Sequence, residues 1–168
     1  MKSAPGGVKR AYVGFGANLG DPAATLRAAA LALGERAGAI TAGSRIYRST
    51  PVGLVDQPDF RNAVAVVQTA LSAERLLAEL NAIEAEFGRV REVRFGPRTL
   101  DLDLIWYDGR RIESDRLTLP HPRAHEREFV LRPLAELAPD LVLRGATVAE
   151  WLAGLAPQGV EPTADALM

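Results

Sequence analysis

Two acidic side chains, Asp101 and Asp103, stand one residue apart in the run Thr99 to Tyr107, where Leu100, Leu102, Leu104 and Trp106 recur at every second position. That alternation predicts a strand. Residues two apart on a strand share a side, so the apolar set enters a core while both carboxylates project from the opposite face. Two such charges ~6 Å apart repel by roughly 3 kcal/mol at an effective dielectric near 20, and aspartate is a poor strand former. Something cationic belongs there: either arginine counterions on a solvated face, or a divalent metal. Arg89, Arg91, Arg94 and Arg98 lie just upstream, with only Glu92 opposing them in that stretch. Carboxylates that hold Mg²⁺ through hard oxygen ligands, beside guanidinium groups that clamp a polyanion, point to phosphoryl transfer.

Other candidate groups sort around that pair. No Gly-x-x-x-x-Gly-Lys-Ser/Thr run exists, so a nucleotide site must be built without a P-loop. The turn Gly14-Phe15-Gly16-Ala17-Asn18-Leu19-Gly20 has the wrong glycine spacing for a dinucleotide fingerprint and reads as a permissive strand-to-helix turn. His121 and His125 flank Pro122-Arg123-Ala124; without a third ligand nearby they make a poor zinc site. His121 suits a phosphate or nucleotide contact, or else a helix cap or exposed surface. Phe60 and Phe129 would ordinarily be core residues, but Phe60 follows Asp-Gln-Pro-Asp and precedes Arg61-Asn62. An aromatic face and a carboxamide at a strand start could dock a flat heterocycle.

The elements that must position these groups are predicted by periodicity. Ala11 to Gly16 reads as a strand; Asp21 caps a helix that begins at Pro22 and ends at Gly34 or Gly38. Thr41 to Ser49 and Phe60 to Thr69 follow as strands, joined by an excursion over residues 50–59. Ser72 caps a second helix carrying Leu76, Leu80, Ile83 and Phe87. Asp108-Gly109 then gives a hairpin signal that returns the chain through Arg110 to Glu113. The expected class is α+β: a ferredoxin-like βαββαβ core with an added β-hairpin and short C-terminal helices over Leu131 to Leu137 and Val148 to Leu155. Residues 1–10 and 157–168 read as loose tails around one domain spanning 11–156.

At 168 residues the chain can bury about two thirds of its unfolded surface around one core. Apolar residues make up 48% and charged ones 24%, which excludes wholesale disorder. Twenty basic against twenty-one acidic side chains argue against a general nucleic-acid or membrane binder. With no cysteine, disulfides, thiolate catalysis and iron-sulfur clusters are excluded. No run approaches the ~20 apolar residues of a membrane span and none reads as a secretory leader, so the cytoplasm is the expected address and a monomer the expected state.

The run Arg94-Phe95-Gly96-Pro97-Arg98-Thr99-Leu100-Asp101-Leu102-Asp103-Leu104-Ile105 resembles the signature of the 6-hydroxymethyl-7,8-dihydropterin pyrophosphokinase family. Tyr12 to Asp21, Tyr47 to Pro51, Asp56 to Asn62, Ile83-Glu84 with Gly88 to Arg91, and Leu117 through Pro133 also look like family segments in family order. The resemblance implies transfer of the β,γ-pyrophosphate of ATP to the hydroxymethyl oxygen of a pterin, releasing AMP, with two Mg²⁺ and ATP as co-substrate. It implies Asp101 and Asp103 as metal ligands, Arg89 and Arg98 as groups assisting transfer, and Arg91 on the phosphates. Arg116, Thr118, His121 and Arg127 would line the nucleotide site, with Leu77, Asn81 and Glu84 on the adenosine side. Phe60 and Phe129 would sandwich the pterin, Asn62 would read its edge, and backbone from Thr50 and Pro51 to Leu54 would complete the pocket. Ala17, Asn81 and Phe95 stand where many members carry Ser, Gln and Trp.

The Pro-, Gly- and Arg-rich segments 50–59 and 88–98 are expected to close over ATP and exclude water. A ferredoxin-like RNA-binding module is a competing class, but no aromatic-rich basic strand is present to stack bases. A metal-dependent phosphohydrolase using the same carboxylates is the second competitor.

Overall fold

A computed structural model describes residues 7–51, 56–88 and 100–168. The chain runs β1 (Lys9–Ala17), α1 (Pro22–Ala37), β2 (Gly38–Gly43), β3 (Arg45–Ser49), β4 (Phe60–Thr69), α2 (Ala73–Glu86), β5 (Asp101–Tyr107), β6 (Ile112–Glu113), β7 (Thr118–Leu119), α3 (Glu128–Leu137), β8 (Val142–Leu143), β9 (Ala146–Thr147), α4 (Val148–Ala153) and β10 (Val160–Ala166). The main sheet is ordered β10-β3-β4-β1-β5, with β2 also paired to β4, and all its pairings are antiparallel. Because β2 and β3 lie end to end along β4, the first four strand positions reproduce the expected ferredoxin-like order.

Helix starts follow the caps anticipated from sequence. Asp21 accepts the Ala24 N–H at 3.2 Å and Pro22 opens α1; Ser72 accepts the Arg75 N–H at 3.1 Å at the start of α2. Both helices cover one sheet face. Their fully buried Leu26, Leu33, Leu76, Leu80 and Ile83 meet Val13, Phe15, Ala65, Val67, Leu100, Leu102 and Leu104 from the strands. Full burial of each such helix side chain contributes roughly 1.5–3 kcal/mol. Gly38 is required where α1 turns directly into β2: its φ is 146°, and a Cβ there would lie 2.1 Å from the Gln68 carbonyl oxygen.

The other face carries a second apolar layer. Tyr12, Val64, Val66 and Ile105 of the sheet pack beneath Val130, Leu131 and Leu134 of α3, Leu143 and Val148. The molecule therefore has three layers, with α3 and α4 opposite α1 and α2.

Three expectations change in detail. Trp106 does not continue the Leu100-Leu102-Leu104 stripe. The β1–β5 register shifts so that Tyr12 opposes Trp106 while Val13 opposes Leu104, making Ile105 the extra residue of a bulge. Trp106 consequently meets Tyr12 edge-on at 5.4 Å between centroids, and Tyr107 takes its place in the first core. Second, Asp108-Gly109 does form a tight turn at positive φ, closed by Arg110 N–H to the Tyr107 carbonyl at 2.9 Å. The returning β6 pairs with β7, however, and not with β5. Third, residues 160–166 are not a loose tail. They form an edge strand against β3, and Leu167 is buried in the first core. Its Pro162 is tolerated because β10 has no outer neighbour among the described residues. At the other end β1 begins at Lys9, two residues inside the expected N-terminal tail.

Candidate active site

The site is built on the α3 side of the sheet. In β4, Phe60 and Asn62 precede Val64 and Val66 at alternate positions, which fixes them to the face that Val64 and Val66 share with α3. In β5, Asp101 and Asp103 alternate with the buried leucines and take the same face. Between them lies β1. Gly16 opposes both Asn62 and Asp101, and Gly14 opposes both Val64 and Asp103. Directly opposed residues share a face, so Asn62, Gly16 and Asp101 form one row across the sheet. At ~4.8 Å per strand step the outer members of that row are roughly 10 Å apart.

The glycines make the floor of a trough between those outer members. A Cβ at Gly16 would sit 3.4 Å from Asn62 Oδ1, and one at Gly14 would sit 3.4 Å from Ile105 Cδ1 and 4.0 Å from Asp103 Cβ. Larger residues at 14 or 16 would fill the space that separates the carboxamide from the carboxylates. From sequence these glycines read as turn formers; in the structure both lie within β1, where they leave this part of the strand face without side chains.

At one end, Asn62 is 5% exposed and donates from Nδ2 to Ser49 Oγ at 2.7 Å. The bond orients the carboxamide with Oδ1 toward Gly16. Asn18, buried at the end of β1, donates to Gln57 Oε1 and to the Pro58 carbonyl, both at 2.9 Å. It thereby ties the β1–α1 turn to the chain entering Phe60. Phe129 lies at the start of α3, packed against the second core, with the Arg127 guanidinium 5.5 Å from its ring centroid. Phe60, Asn62 and Phe129 are thus placed on one face, and Thr50 and Pro51 follow directly on β3. Ser49, Asn18 and Gln57 were not singled out by sequence. All three nevertheless fall within segments that resemble the family, Tyr12 to Asp21, Tyr47 to Pro51 and Asp56 to Asn62.

At the other end, Asp101 and Asp103 are both partly buried. Glu84 of α2 reaches the outer edge of β5, where its Oε2 accepts the Leu102 N–H at 2.7 Å. Burial pushes the Glu84 carboxyl up to about 7; the Leu102 N–H pulls it down, while the charges of Asp101 and Asp103 and a hydrogen bond to Asp101 push it up. Glu84 is therefore anchored to the strand between the two aspartates. Leu77, one of its helical neighbours, packs against the first core, whereas Asn81 is exposed.

Residues after the bulge complete this end. The His121 N–H donates to the Ile105 carbonyl at 2.9 Å, which fastens the segment after β7 to β5. His121 Nδ1 accepts the Arg123 N–H at 3.1 Å, leaving the proton of a neutral ring on Nε2. Burial lowers its pKa to about 4; Arg127 lowers it further, Asp101 opposes, and Arg144 and Arg123 add to the lowering. A neutral Nε2–H donor among arginines suits an anionic oxygen. Thr118 lies on β7 and is partly buried, and Arg116 is exposed just before it. The His125 ring instead lies against Trp151, tilted by 57° at 4.7 Å between centroids.

Arg89, Arg91 and Arg98, together with Arg94 and Phe95, lie outside the described residues, as do residues 52–55 of the expected pterin loop. Among the described residues no group of three or more His, Cys, Asp or Glu could hold a metal. Two carboxylates alone fit Mg²⁺, which usually takes one or two protein carboxylates and completes its shell with water and phosphate oxygens.

Comparison with known proteins agrees with this arrangement. Residues 12–139 match the family described as 7,8-dihydro-6-hydroxymethylpterin-pyrophosphokinase (HPPK). The 2-amino-4-hydroxy-6-hydroxymethyldihydropteridine pyrophosphokinase of Methylorubrum extorquens is 48% identical over 153 residues, covering 90% of this chain and 97% of that one. The enzyme of the same name from Haemophilus influenzae is 47% identical over 139 residues, covering 82% and 87%. Among solved structures, wild-type Plasmodium falciparum HPPK-DHPS with pteroate superposes with a TM-score of 0.70 at 14% identity. That match covers 90% of this chain and 43% of the solved one, and it concerns the fold alone. With a matched region that contains both carboxylates, the glycine floor and Asn62, the chain belongs to the 7,8-dihydro-6-hydroxymethylpterin pyrophosphokinase family.

Proposed function

We propose that this chain transfers the β,γ-pyrophosphate of ATP to the hydroxymethyl oxygen of 6-hydroxymethyl-7,8-dihydropterin, releasing AMP, as a step in folate biosynthesis. The observation that carries the reading is the row Asn62–Gly16–Asp101: a carboxamide suited to a ring edge and a carboxylate suited to a metal on one face, separated by a glycine. In the proposed reaction the pterin oxygen attacks the β-phosphorus in line as the bond to the α-phosphate oxygen breaks, and AMP departs with that oxygen. The hydroxyl proton is lost as the new P–O bond forms.

Phe60 and Phe129 would stack on the pterin, and Asn62 Oδ1 would accept from its amino edge. Asp101 and Asp103 would hold two Mg²⁺, which when bound neutralise charge on the phosphate oxygens. His121 Nε2–H, Thr118, Arg116 and Arg127 would orient the triphosphate, with Leu77, Asn81 and Glu84 toward the adenosine; Arg89, Arg91 and Arg98 would clamp the transferred group. Catalysis of this kind is mostly alignment and charge neutralisation, for which a rigid sheet face is well suited. We assign the activity to one domain that begins with β1 and extends beyond residue 156 through β10, acting as a cytoplasmic monomer without nucleic-acid partners. No helix among the described residues is long and apolar enough to cross a membrane.

Product analysis tests the proposal. Incubation with ATP, Mg²⁺ and the reduced pterin should yield AMP and a diphosphorylated pterin. ADP with free phosphate would instead identify a phosphohydrolase, and absence of turnover with tight RNA binding would identify an RNA-binding module.

A further inference from the structure

At the entry to β10, the four consecutive residues 158–161 touch both walls of the ring-binding end. Gln158 and Glu128 exchange hydrogen bonds: the Gln158 N–H donates to Glu128 Oε1 at 2.7 Å, and the Glu128 N–H donates to Gln158 Oε1 at 2.9 Å. Gln158 Nε2 also donates to the Glu126 carbonyl at 3.0 Å. One side chain therefore grips the first turn of α3 on the residue next to Phe129. Gly159, at φ 78°, lies against Thr50 so closely that a Cβ would fall 2.8 Å from Thr50 Oγ1. Val160 opposes Ser49, the residue that accepts from Asn62, and its carbonyl accepts from Arg132 of α3 at 3.0 Å. Glu161 opposes Arg48 and forms an ion pair with it, and Arg48 also reaches Asp59, the neighbour of Phe60, at 3.5 Å.

Phe60 and Asn62 sit on β4 and Phe129 on α3, yet each has a partner or chain neighbour held, directly or through Arg48, by residues 158–161. We propose that this segment is a positioning element for the pterin pocket, with Gln158 fixing the α3 wall that carries Phe129 at its working distance from the β3–β4 wall. Among the described residues, the hydrogen bonds and ion pairs of 158–161 go to α3, to β3 and to their flanks, so of the nucleotide-end groups only Arg127, between Glu126 and Glu128, adjoins residues that the segment holds. The sequence offers no hint of this, because the contacts join positions about thirty to over a hundred residues apart.

The inference rests on assigning Phe60, Asn62 and Phe129 to the pterin, and the test separates the two. Full-length wild type, Gln158→Ala and Gly159→Ala are titrated with 6-hydroxymethyl-7,8-dihydropterin under a saturating non-hydrolysable ATP analogue and Mg²⁺, and separately with the analogue alone. Steady-state constants and thermal midpoints are measured alongside. Loss of the two Gln158 side-chain hydrogen bonds, or displacement of Thr50 by the added Cβ at 159, should weaken pterin binding about tenfold and raise its KM to match. Analogue affinity and the KM for ATP should change less than about twofold, with midpoints within about 2 °C of wild type in Gln158→Ala. Unchanged pterin affinity in both variants would overturn the inference while leaving the function intact. Equal weakening for pterin and nucleotide would also overturn it, because the segment would then support the fold as a whole. Failure of wild type itself to bind the pterin would overturn the functional assignment and the inference with it.

Discussion

The carboxylate end of the trough takes Asp101 and Asp103 from a single strand, with Thr118 and His121 following shortly downstream and His121 bonded back to it. The ring end assembles Asn18, Ser49, Asn62, Phe129 and Gln158 from segments scattered from the first strand to the last. Chemistry that depends on absolute charge is thus encoded locally, where one strand's pleat sets the geometry. Recognition that depends on spacing is encoded by tertiary hydrogen bonds. Damage to the first should be nearly all-or-none, and damage to the second should be graded and specific to one ligand.

The sharpest way to break that contrast is Asp101→Ala or Asp103→Ala. Each should lower turnover by a factor on the order of 10³ or more with the fold retained, judged by steady-state kinetics beside circular dichroism. Near-normal kcat in either would remove the metal assignment.

Acid stability measured without ligands probes the same end next. His121 has a folded-state pKa near 4, below the ordinary 6.5, so the unfolded chain binds the extra proton as pH falls between those values. Stability should therefore be complete above pH 6.5 and decline toward pH 4, by on the order of 3 kcal/mol more in wild type than in His121→Gln. Glu84, raised to about 7, acts with the opposite sign as pH rises from its ordinary value, but it does so in both proteins and cancels in the comparison. Parallel urea-derived profiles for the two proteins would show that the imidazole is not held neutral.

At the ring end the effects shrink. Asn62→Ala removes a buried carboxamide bonded to Ser49 and should weaken pterin binding by roughly 10- to 30-fold by calorimetry, with ATP-analogue affinity nearly unchanged. Gly16→Ala should cost only about 3- to 5-fold in pterin affinity, since its Cβ would press on Asn62 Oδ1 at 3.4 Å and shift it slightly. A larger loss for ATP than for pterin in either variant would erase the distinction between the ends.

The same division explains what could be read from the chain. The caps of α1 and α2, the alternation in β5 and the Asp-x-Asp pair are local signals, and each places its element correctly. Trp106 misleads because a bulge at Ile105 resets the alternation, and its cause is a register shift against β1 that β5 alone does not display. Residues 160–166 hide a strand because Pro162 and three acidic or hydroxyl side chains read as loop; pairing with β3 and the Arg48–Glu161 contact override that preference. Glu84 is legible as a family position, but its bond to the Leu102 N–H exists only once α2 packs beside the sheet edge.

The Asp-Leu-Asp-Leu order of β5 also bears on how the chain avoids misfolding. Sliding that strand by one position against its neighbour would exchange the two parities, driving a pair of anions into the oily layer under the first two helices while stranding leucines in water. Each uncompensated anion so trapped would cost several kcal/mol, far more than a lost pair of ladder contacts. The acids proposed to serve the reaction therefore double as a proofreading device for assembly, penalising the wrong alignment before any ligand arrives.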